Sequence, residues 1–134
     1  MAAEEQRAGT YMSDLNISKL VQKINGLMPE TGWLEMGRIL KILSNRMTRE
    51  KFKEVLTQVA LSDRTAAYLV AIVTRLDSQG IKVPQGAGWR KMAEVAPVLT
   101  YENQAVIFKK VLSCTREELI EMRKKGDLTK KLGG

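Results

Sequence analysis

The chain has 134 residues and a formal net charge of +7, and 44% of its residues are hydrophobic and 28% charged. This length suits one globular domain with its own core and is too short for two comfortable domains, and no tract is biased enough in composition to prevent a packed core. The lack of histidine and the single cysteine, Cys114, exclude an intramolecular disulfide and a cysteine–histidine zinc site.

The amino-terminal segment predicts an intracellular protein. Its first residues, MAAEEQRAGT, carry acids where a signal peptide has a basic region followed by an apolar run. The longest apolar stretch, residues 66–73, is too short to cross a bilayer. We therefore expect a flexible segment over residues 1–12, a reducing cytoplasmic location and no membrane partner.

Two amphipathic helices are predicted next. The first begins at Ser13 or Asn16 and ends before Pro29. Its apolar residues recur at helical spacing: Ile17, Leu20, Val21, Ile24 and Leu27. The second begins near Thr31, and its inner stripe advances in steps of three and four residues through Trp33, Met36, Leu40, Leu43 and Met47. Both stripes predict that their side chains pack in the core, and this includes Trp33.

A third and a fourth helix are predicted to meet at a break over residues 60–62. Thr48 is the expected cap of the third helix, and Ser62, followed by Asp63, is the expected cap of the fourth. From Ala66 to Val73 the fourth helix is apolar on almost every side. This pattern is typical of a helix that neighbours bury all round.

An internal linker is predicted over residues 77–88, because DSQGIKVPQGAG contains three glycines and a proline. A short helix starting at Trp89 follows and ends before Pro97. Thr100 is then expected to cap a helix with one apolar side, formed by Tyr101, Ala105, Phe108, Val111 and Leu112.

The last predicted helix begins with a capping box formed by Thr115 and Glu118. No stretch shows the sustained alternation of a half-buried strand. We therefore predict an all-α bundle of six or seven short helices. It forms a single domain over residues 13–125, with a helix-turn-helix at 48–76, the linker at 77–88, a helical subdomain at 89–125 and a basic flexible tail at 126–134.

The sequence LSDRTA at residues 61–66 resembles the corner of the helix-turn-helix superfamily, as found in small phage and plasmid DNA-binding proteins. Where that family usually has a small residue in its first helix, this chain has Leu56, and Ala60 stands where the family favours glycine. The resemblance implies that the second helix of the pair reads duplex DNA in the major groove with its first turns.

The side chains at the start of this helix have separate expected roles. Arg64 is expected to bond guanine through two N–H groups, and Tyr68 to pack on a sugar or a base methyl group. Ser62 and Thr65 are expected to bond phosphate. Asp63 would repel phosphate unless it pairs with Arg64 or caps the helix. The alternative interpretation is a core helix in which Ser62 and Asp63 are ordinary capping residues.

The positive charge lies in the later part of the chain, which predicts an anionic partner there. Residues 1–30 hold three Lys/Arg and four Asp/Glu, whereas residues 31–134 hold nineteen and eleven. If they share one surface, the cations form a phosphate-binding stripe; alternatively they are solvated residues at helix ends. The expected contacts are Arg46, Arg49, Lys51 and Lys53, then Arg90 and Lys91, then Lys109, Lys110, Arg116, Arg123, Lys124 and Lys125.

The residue sets of common catalytic sites are missing from the sequence. It has no histidine and no phosphate-binding glycine loop, so we expect no enzyme activity, no metal site and no cofactor. The few aromatic residues sit mostly at core spacing, which favours duplex DNA over single strands.

Two classes of function remain. One is a DNA-binding regulator of transcription or a nucleoprotein accessory factor, expected to be a homodimer because one reading helix covers too little sequence. The other is a helical subunit or adaptor that binds a protein partner.

Overall fold

The computed structural model describes residues 12–130, and this part of the chain is all-α, which confirms the predicted class. It contains seven α-helices, one 3₁₀ turn and no β-strand. None of the described helices combines the length and the apolar character that a membrane span requires. The helices are α1 (Asp14–Asn25), α2 (Pro29–Asn45), α3 (Arg49–Gln58), α4 (Asp63–Gln79), α5 (Trp89–Val95), α6 (Gln104–Ser113) and α7 (Arg116–Lys125), and the 3₁₀ turn is Ala96–Val98.

The chain divides into two compact units, and the boundary falls inside α4, between Val70 and Ala71. The first unit contains α1, α2, α3 and the first half of α4. The second contains the rest of α4 and all later helices. The single domain predicted over residues 13–125 spans this boundary and stays a prediction. The flexible segment predicted over 1–12 lies outside the described residues except for Met12.

In the first unit, α1 and α2 form an antiparallel pair. The Met12 amide donates to the carbonyl of Arg46, which follows α2 (3.1 Å). Near the other end of the pair, Lys23 of α1 and Glu35 of α2 form an ion pair at 2.9 Å. Ser13 caps α1, accepting the Asn16 amide at 3.3 Å. The start of each helix therefore lies beside the end of its neighbour.

The stripe predicted for α2 is buried, as the three-and-four spacing requires. Its members Trp33, Met36, Leu40, Leu43 and Met47 all belong to the core. Trp33 is therefore a packing residue and not an exposed stacking platform. Next to α2 packs α3, which begins at the predicted cap Thr48, whose hydroxyl accepts the Lys51 amide at 3.2 Å.

The second unit is built on contacts of α5 with α6 and α7 and of α6 with α7. Apolar side chains of all three helices are fully buried, namely Met92, Val95, Ile107 and Leu119, together with Leu99 after the 3₁₀ turn. The capping box predicted at Thr115 is present: its hydroxyl accepts the Glu118 amide, and the Glu118 carboxylate accepts the Thr115 amide. Local capping and periodicity thus produce the predicted last helix.

Two predictions about α4 are wrong. The helix continues to Gln79, so the irregular segment begins at Gly80 instead of residue 77. Gly80 adopts a left-handed φ of 65°, and the Ile81 amide returns to the Leu76 carbonyl at 2.9 Å, which is a standard helix ending. The helix is also not buried all round, because Ala67, Tyr68, Ala71 and Thr74 are exposed.

The start of α6 also differs from its prediction. Thr100 and Asn103 bond each other's amides through their side chains, at 2.7 and 3.2 Å. These bonds close a turn over residues 101–103, and α6 begins after this turn, at Gln104. Three residues predicted for the apolar side are exposed: Ala105, Tyr101 (60%) and Leu112 (51%).

The flexible tail predicted from residue 126 is not what the structure shows up to residue 130. Leu128 is buried with 2% of its surface exposed. Lys130 forms an ion pair with Asp127 at 2.9 Å, and this ion pair lowers the pKa of Asp127. Residues 131–134 lie outside the described residues.

Candidate nucleic-acid interface

The turn between α3 and α4 is a tight left-handed helix ending. The Leu61 amide donates to the Leu56 carbonyl (3.1 Å) and the Ala60 amide to the Thr57 carbonyl (3.3 Å). Ala60 has a φ of 56°, in the region that favours glycine. This alanine therefore adopts the backbone conformation for which the helix-turn-helix family favours glycine.

The first turn of α4 is closed by Ser62. Its Oγ accepts the Thr65 amide at 3.0 Å, and its hydroxyl donates to Thr65 Oγ1, also at 3.0 Å. Both bonds agree with the capping interpretation of Ser62. Because the Ser62 hydroxyl donates its proton to Thr65, the Thr65 hydroxyl is the one of the two that can donate to an external acceptor.

Arg64 and Tyr68 are exposed neighbours on successive turns of α4. Arg64 Nε and Nη2 donate to the Tyr68 hydroxyl at 3.3 and 3.2 Å. The guanidinium carbon lies 5.6 Å from the centre of the Tyr68 ring, within cation–π range. The hydrogen bonds that Arg64 donates to the Tyr68 hydroxyl raise the pKa of Arg64 above its usual value. Arg64 is thus charged, exposed and oriented along the helix.

Asp63 reduces the positive charge at the start of α4. It is exposed in the first turn, where the helix dipole favours a carboxylate. Among the described residues no ion pair joins it to Arg64. Asp63 therefore interacts with the helix dipole, and the guanidinium of Arg64 bonds Tyr68 and not Asp63.

The predicted cations around the start of α3 are mostly open to solvent. Arg46, Arg49 and Lys53 are exposed, and none forms an ion pair within residues 12–130. Lys51 is half-buried and lies 3.9 Å from Asp14 and 3.7 Å from Glu54. Three of these four side chains can therefore reach an outside anion without first breaking an ion pair to a described residue.

Arg116 and Arg123 are tied to a buried carboxylate of α5. Glu94 is only 7% exposed, and its Oε2 lies 3.1 Å from Arg116 Nη2, while its Oε1 accepts from Arg123 Nη1. The two arginines stand two helical turns apart, on the same side of α7. Both remain about half-exposed, so part of each guanidinium still faces solvent.

Lys110 is a correction to the predicted interface. Its side chain is 2% exposed, and its ammonium donates to the carbonyls of Asp127 (2.6 Å), Leu128 (3.0 Å) and Lys130. It lies among the inward positions of α6, one residue before buried Val111. An ammonium that is enclosed in this way does not contact a phosphate.

The remaining predicted cations lie in the second unit. Half-buried Lys91 donates to the Val111 carbonyl at 3.2 Å, where α6 ends with unpaired carbonyls. Exposed Arg90 lies over the Trp89 ring at 4.8 Å. The other three, Lys109, Lys124 and Lys125, are exposed.

Sequence reasoning missed two features of the second unit, the Glu94 pair and the enclosure of Lys110. A signal existed for Lys110, because its position follows Ile107 by three residues and precedes buried Cys114 by four. No local signal marks Glu94, since its partners Arg116 and Arg123 come from another helix.

An acidic hollow of about 370 Å³ lies on α7, lined by Glu117, Glu118, Glu121, Met122, Lys125 and Asp127. Four of these six side chains are carboxylates, so the hollow repels phosphate. Hydrogen bonds from Thr115 lower the pKa of Glu118 in this hollow. Within residues 12–130 no group of three or more acidic or cysteine side chains is arranged to hold a metal ion.

Comparison with known proteins assigns no relatives to this arrangement. No family model matches the chain, and no curated protein or solved structure matches it either. The resemblance of residues 48–76 to the helix-turn-helix superfamily therefore stays a prediction from the sequence.

Proposed function

We propose that this protein binds duplex DNA, with the first turns of α4 in the major groove. The observation that carries the proposal is the start of α4. Behind a tight turn at Ala60, a helix capped by Ser62 presents exposed Arg64 and Tyr68 on its first two turns. Side chains at this place on a recognition helix meet base edges, and arginine makes the commonest specific contact there.

The exposed cations of the first unit supply phosphate contacts in this proposal. Arg46, Arg49 and Lys53 are open to solvent close in sequence to α4. Lys51 contributes less, because it lies near two carboxylates. The Thr65 hydroxyl donates to phosphate in this proposal, whereas the Ser62 hydroxyl caps α4 and donates to Thr65.

The second unit adds cations of two kinds. Arg90, Lys109, Lys124 and Lys125 are exposed and bind phosphate without sequence preference. Arg116 and Arg123 take part with the N–H groups that Glu94 leaves free, and Lys91 is partly used by α6. Lys110 is not part of the proposed interface, because its ammonium is buried and bonded to main-chain carbonyls. The role that fits is a regulator or nucleoprotein accessory factor, and we expect a homodimer because one α4 reads few base pairs.

Substitution of Arg64 tests which helix reads sequence. After selection of a preferred duplex from a random pool, we expect Arg64→Ala to lose the preference, which corresponds to about 1–3 kcal/mol for a two-point contact to guanine. Lys109→Ala and Lys124→Ala should weaken binding to preferred and random duplex equally. The measurement is fluorescence anisotropy on both duplexes.

The matched control is Lys19→Ala, which removes an exposed cation of α1 that is not assigned to the interface. It should change both affinities less than Lys109→Ala does. If Arg64→Ala and the wild type prefer the selected duplex to the same extent, α4 does not read the sequence.

The alternative function is a helical adaptor that binds another protein. The observation that favours it is the exposure of Tyr101 and Leu112, two large apolar side chains of the second unit. Tight complex formation with a protein, without affinity for duplex DNA, would support the adaptor.

A further inference from the structure

The two edges of the Arg64 guanidinium differ in their surroundings. The side edge, which carries Nε–H and one N–H of Nη2, faces the Tyr68 hydroxyl at 3.3 and 3.2 Å. The end edge carries one further N–H from each terminal nitrogen. No hydrogen bond to a described residue uses this end edge. The Tyr68 side chain itself is 39% exposed, so the pair lies at the surface.

The free end edge has the geometry of a guanine reader. Its two parallel N–H groups match two acceptors that lie side by side, and in the major groove only guanine offers such a pair, O6 and N7. Adenine and cytosine place an amino group in that position, and thymine places a methyl group beside its one acceptor. An arginine held by its side edge therefore presents the edge that distinguishes guanine.

We infer that Tyr68 is a positioning residue that holds Arg64 for recognition of a guanine in duplex DNA, an inference that rests on the proposed function. Tyr68 then acts through Arg64 and not by packing on a sugar or a base methyl. A free arginine side chain loses rotamer freedom when it binds a base. Anchoring by Tyr68 removes part of that loss before the DNA arrives.

The test compares one guanine with 7-deazaguanine, which lacks the N7 acceptor, in the selected duplex. For the wild type we expect 7-deazaguanine at the contacted position to weaken binding about tenfold, within the usual range for such contacts. Tyr68→Phe keeps the ring and removes only the hydroxyl oxygen. It should reduce this ratio to about threefold and weaken binding to the selected duplex more than binding to random duplex.

Two further variants separate positioning from packing. Tyr68→Gln restores an oxygen acceptor one turn from Arg64 and should recover most of the ratio. Tyr101→Phe removes the hydroxyl of an exposed tyrosine of the second unit and should not change it. Circular dichroism of each variant checks that the helical content is intact.

The outcomes distinguish the positioning role of Tyr68 from the proposed function. If Tyr68→Phe discriminates as well as the wild type, or weakens random and selected duplex equally, Tyr68 does not position Arg64 and the proposed function stands. If the wild type binds duplex DNA without any sequence preference, the inference falls together with base reading by α4, and only the phosphate contacts of the proposed function stand. If the wild type binds no duplex DNA, both the inference and the proposed function fall.

Discussion

At Lys110 a buried ammonium exchanges the hydrogen bonds of water for three main-chain carbonyls. A buried charge is costly unless hydrogen bonds satisfy it. The acceptors come from Asp127, Leu128 and Lys130, which follow α7 in the chain. This one side chain therefore fixes the segment after α7 against α6, and the segment belongs to the folded second unit.

Removal of that ammonium should destabilise the protein. Lys110→Met keeps an apolar stem of similar length and removes the ammonium from the carbonyls of residues 127, 128 and 130, of which that of Asp127 still accepts the Lys130 amide. We expect the free energy of unfolding to fall by about 2 kcal/mol and amide exchange of residues 127–130 to accelerate. Denaturant titration and hydrogen exchange measure the two effects.

The neighbouring lysine gives the control. Lys109→Met changes the same charge at an exposed position of the same helix and should alter the free energy of unfolding by less than about 0.5 kcal/mol. Equal effects of the two substitutions would show that the carbonyl contacts of Lys110 contribute nothing to stability.

Ala60 adopts a left-handed backbone conformation although it is not a glycine. Its left-handed φ of 56° costs an alanine about 1 kcal/mol relative to glycine. The hydrogen bonds of Leu61 and Ala60 to α3 offset this cost. The sequence pattern alone did not reveal this, because a left-handed φ is uncommon for alanine.

Among the helices, those with capping residues and apolar stripes inside their own sequence were predicted correctly. The caps Ser13, Thr48, Ser62 and Thr115 bond backbone amides three residues away, so the necessary information lies within one turn. The apolar stripe of α2 is predictable for the same reason. These signals were sufficient for the number of helices and for most of their starts.

The elements that were predicted incorrectly depend on competing or distant contacts. Before α6, the side chains of Thr100 and Asn103 close a turn, and the helix begins only after it. The pairing of Glu94 with two arginines of α7 joins residues more than twenty positions apart. Because lysine is rarely buried, its residue type predicted that Lys110 would lie at the surface.

The capping box of α7 makes the stability of this helix depend on pH. The backbone hydrogen bond from Thr115 holds the pKa of Glu118 below its usual value. A lowered carboxyl pKa stabilises the folded state at pH values above the unfolded pKa, about 4.3. This contribution disappears as the pH falls through the lower folded pKa. Glu118→Gln should therefore flatten the loss of stability between about pH 5 and pH 3.

Chemical denaturation over this pH range measures the effect, and Glu117→Gln is the control. Glu117 lies in the same first turn but accepts no capping bond from Thr115. Its substitution should leave the steepness of the pH dependence closer to that of the wild type. Identical pH curves for wild type and Glu118→Gln would contradict the role of the capping box.

For the molecule as a whole, binding of duplex DNA depends on the surplus of cations in residues 31–134. The structure reduces that surplus at three places, because Lys110 is enclosed and Arg116 and Arg123 share Glu94. The other predicted cations, with the exception of half-buried Lys51 and Lys91, are exposed. We therefore expect a moderate number of phosphate contacts, roughly three to six, each of which releases about one counterion on binding.

The salt dependence of binding to random duplex DNA tests this claim most directly. The full chain is titrated into labelled duplex and into single strands of equal length, at about 50 and about 200 mM salt. With three to six contacts, the affinity for the duplex should fall by roughly 40-fold to 2,000-fold between these concentrations, and single strands should bind more weakly. No detectable binding to duplex at the lower salt concentration, or an affinity that does not change with salt, would contradict the account.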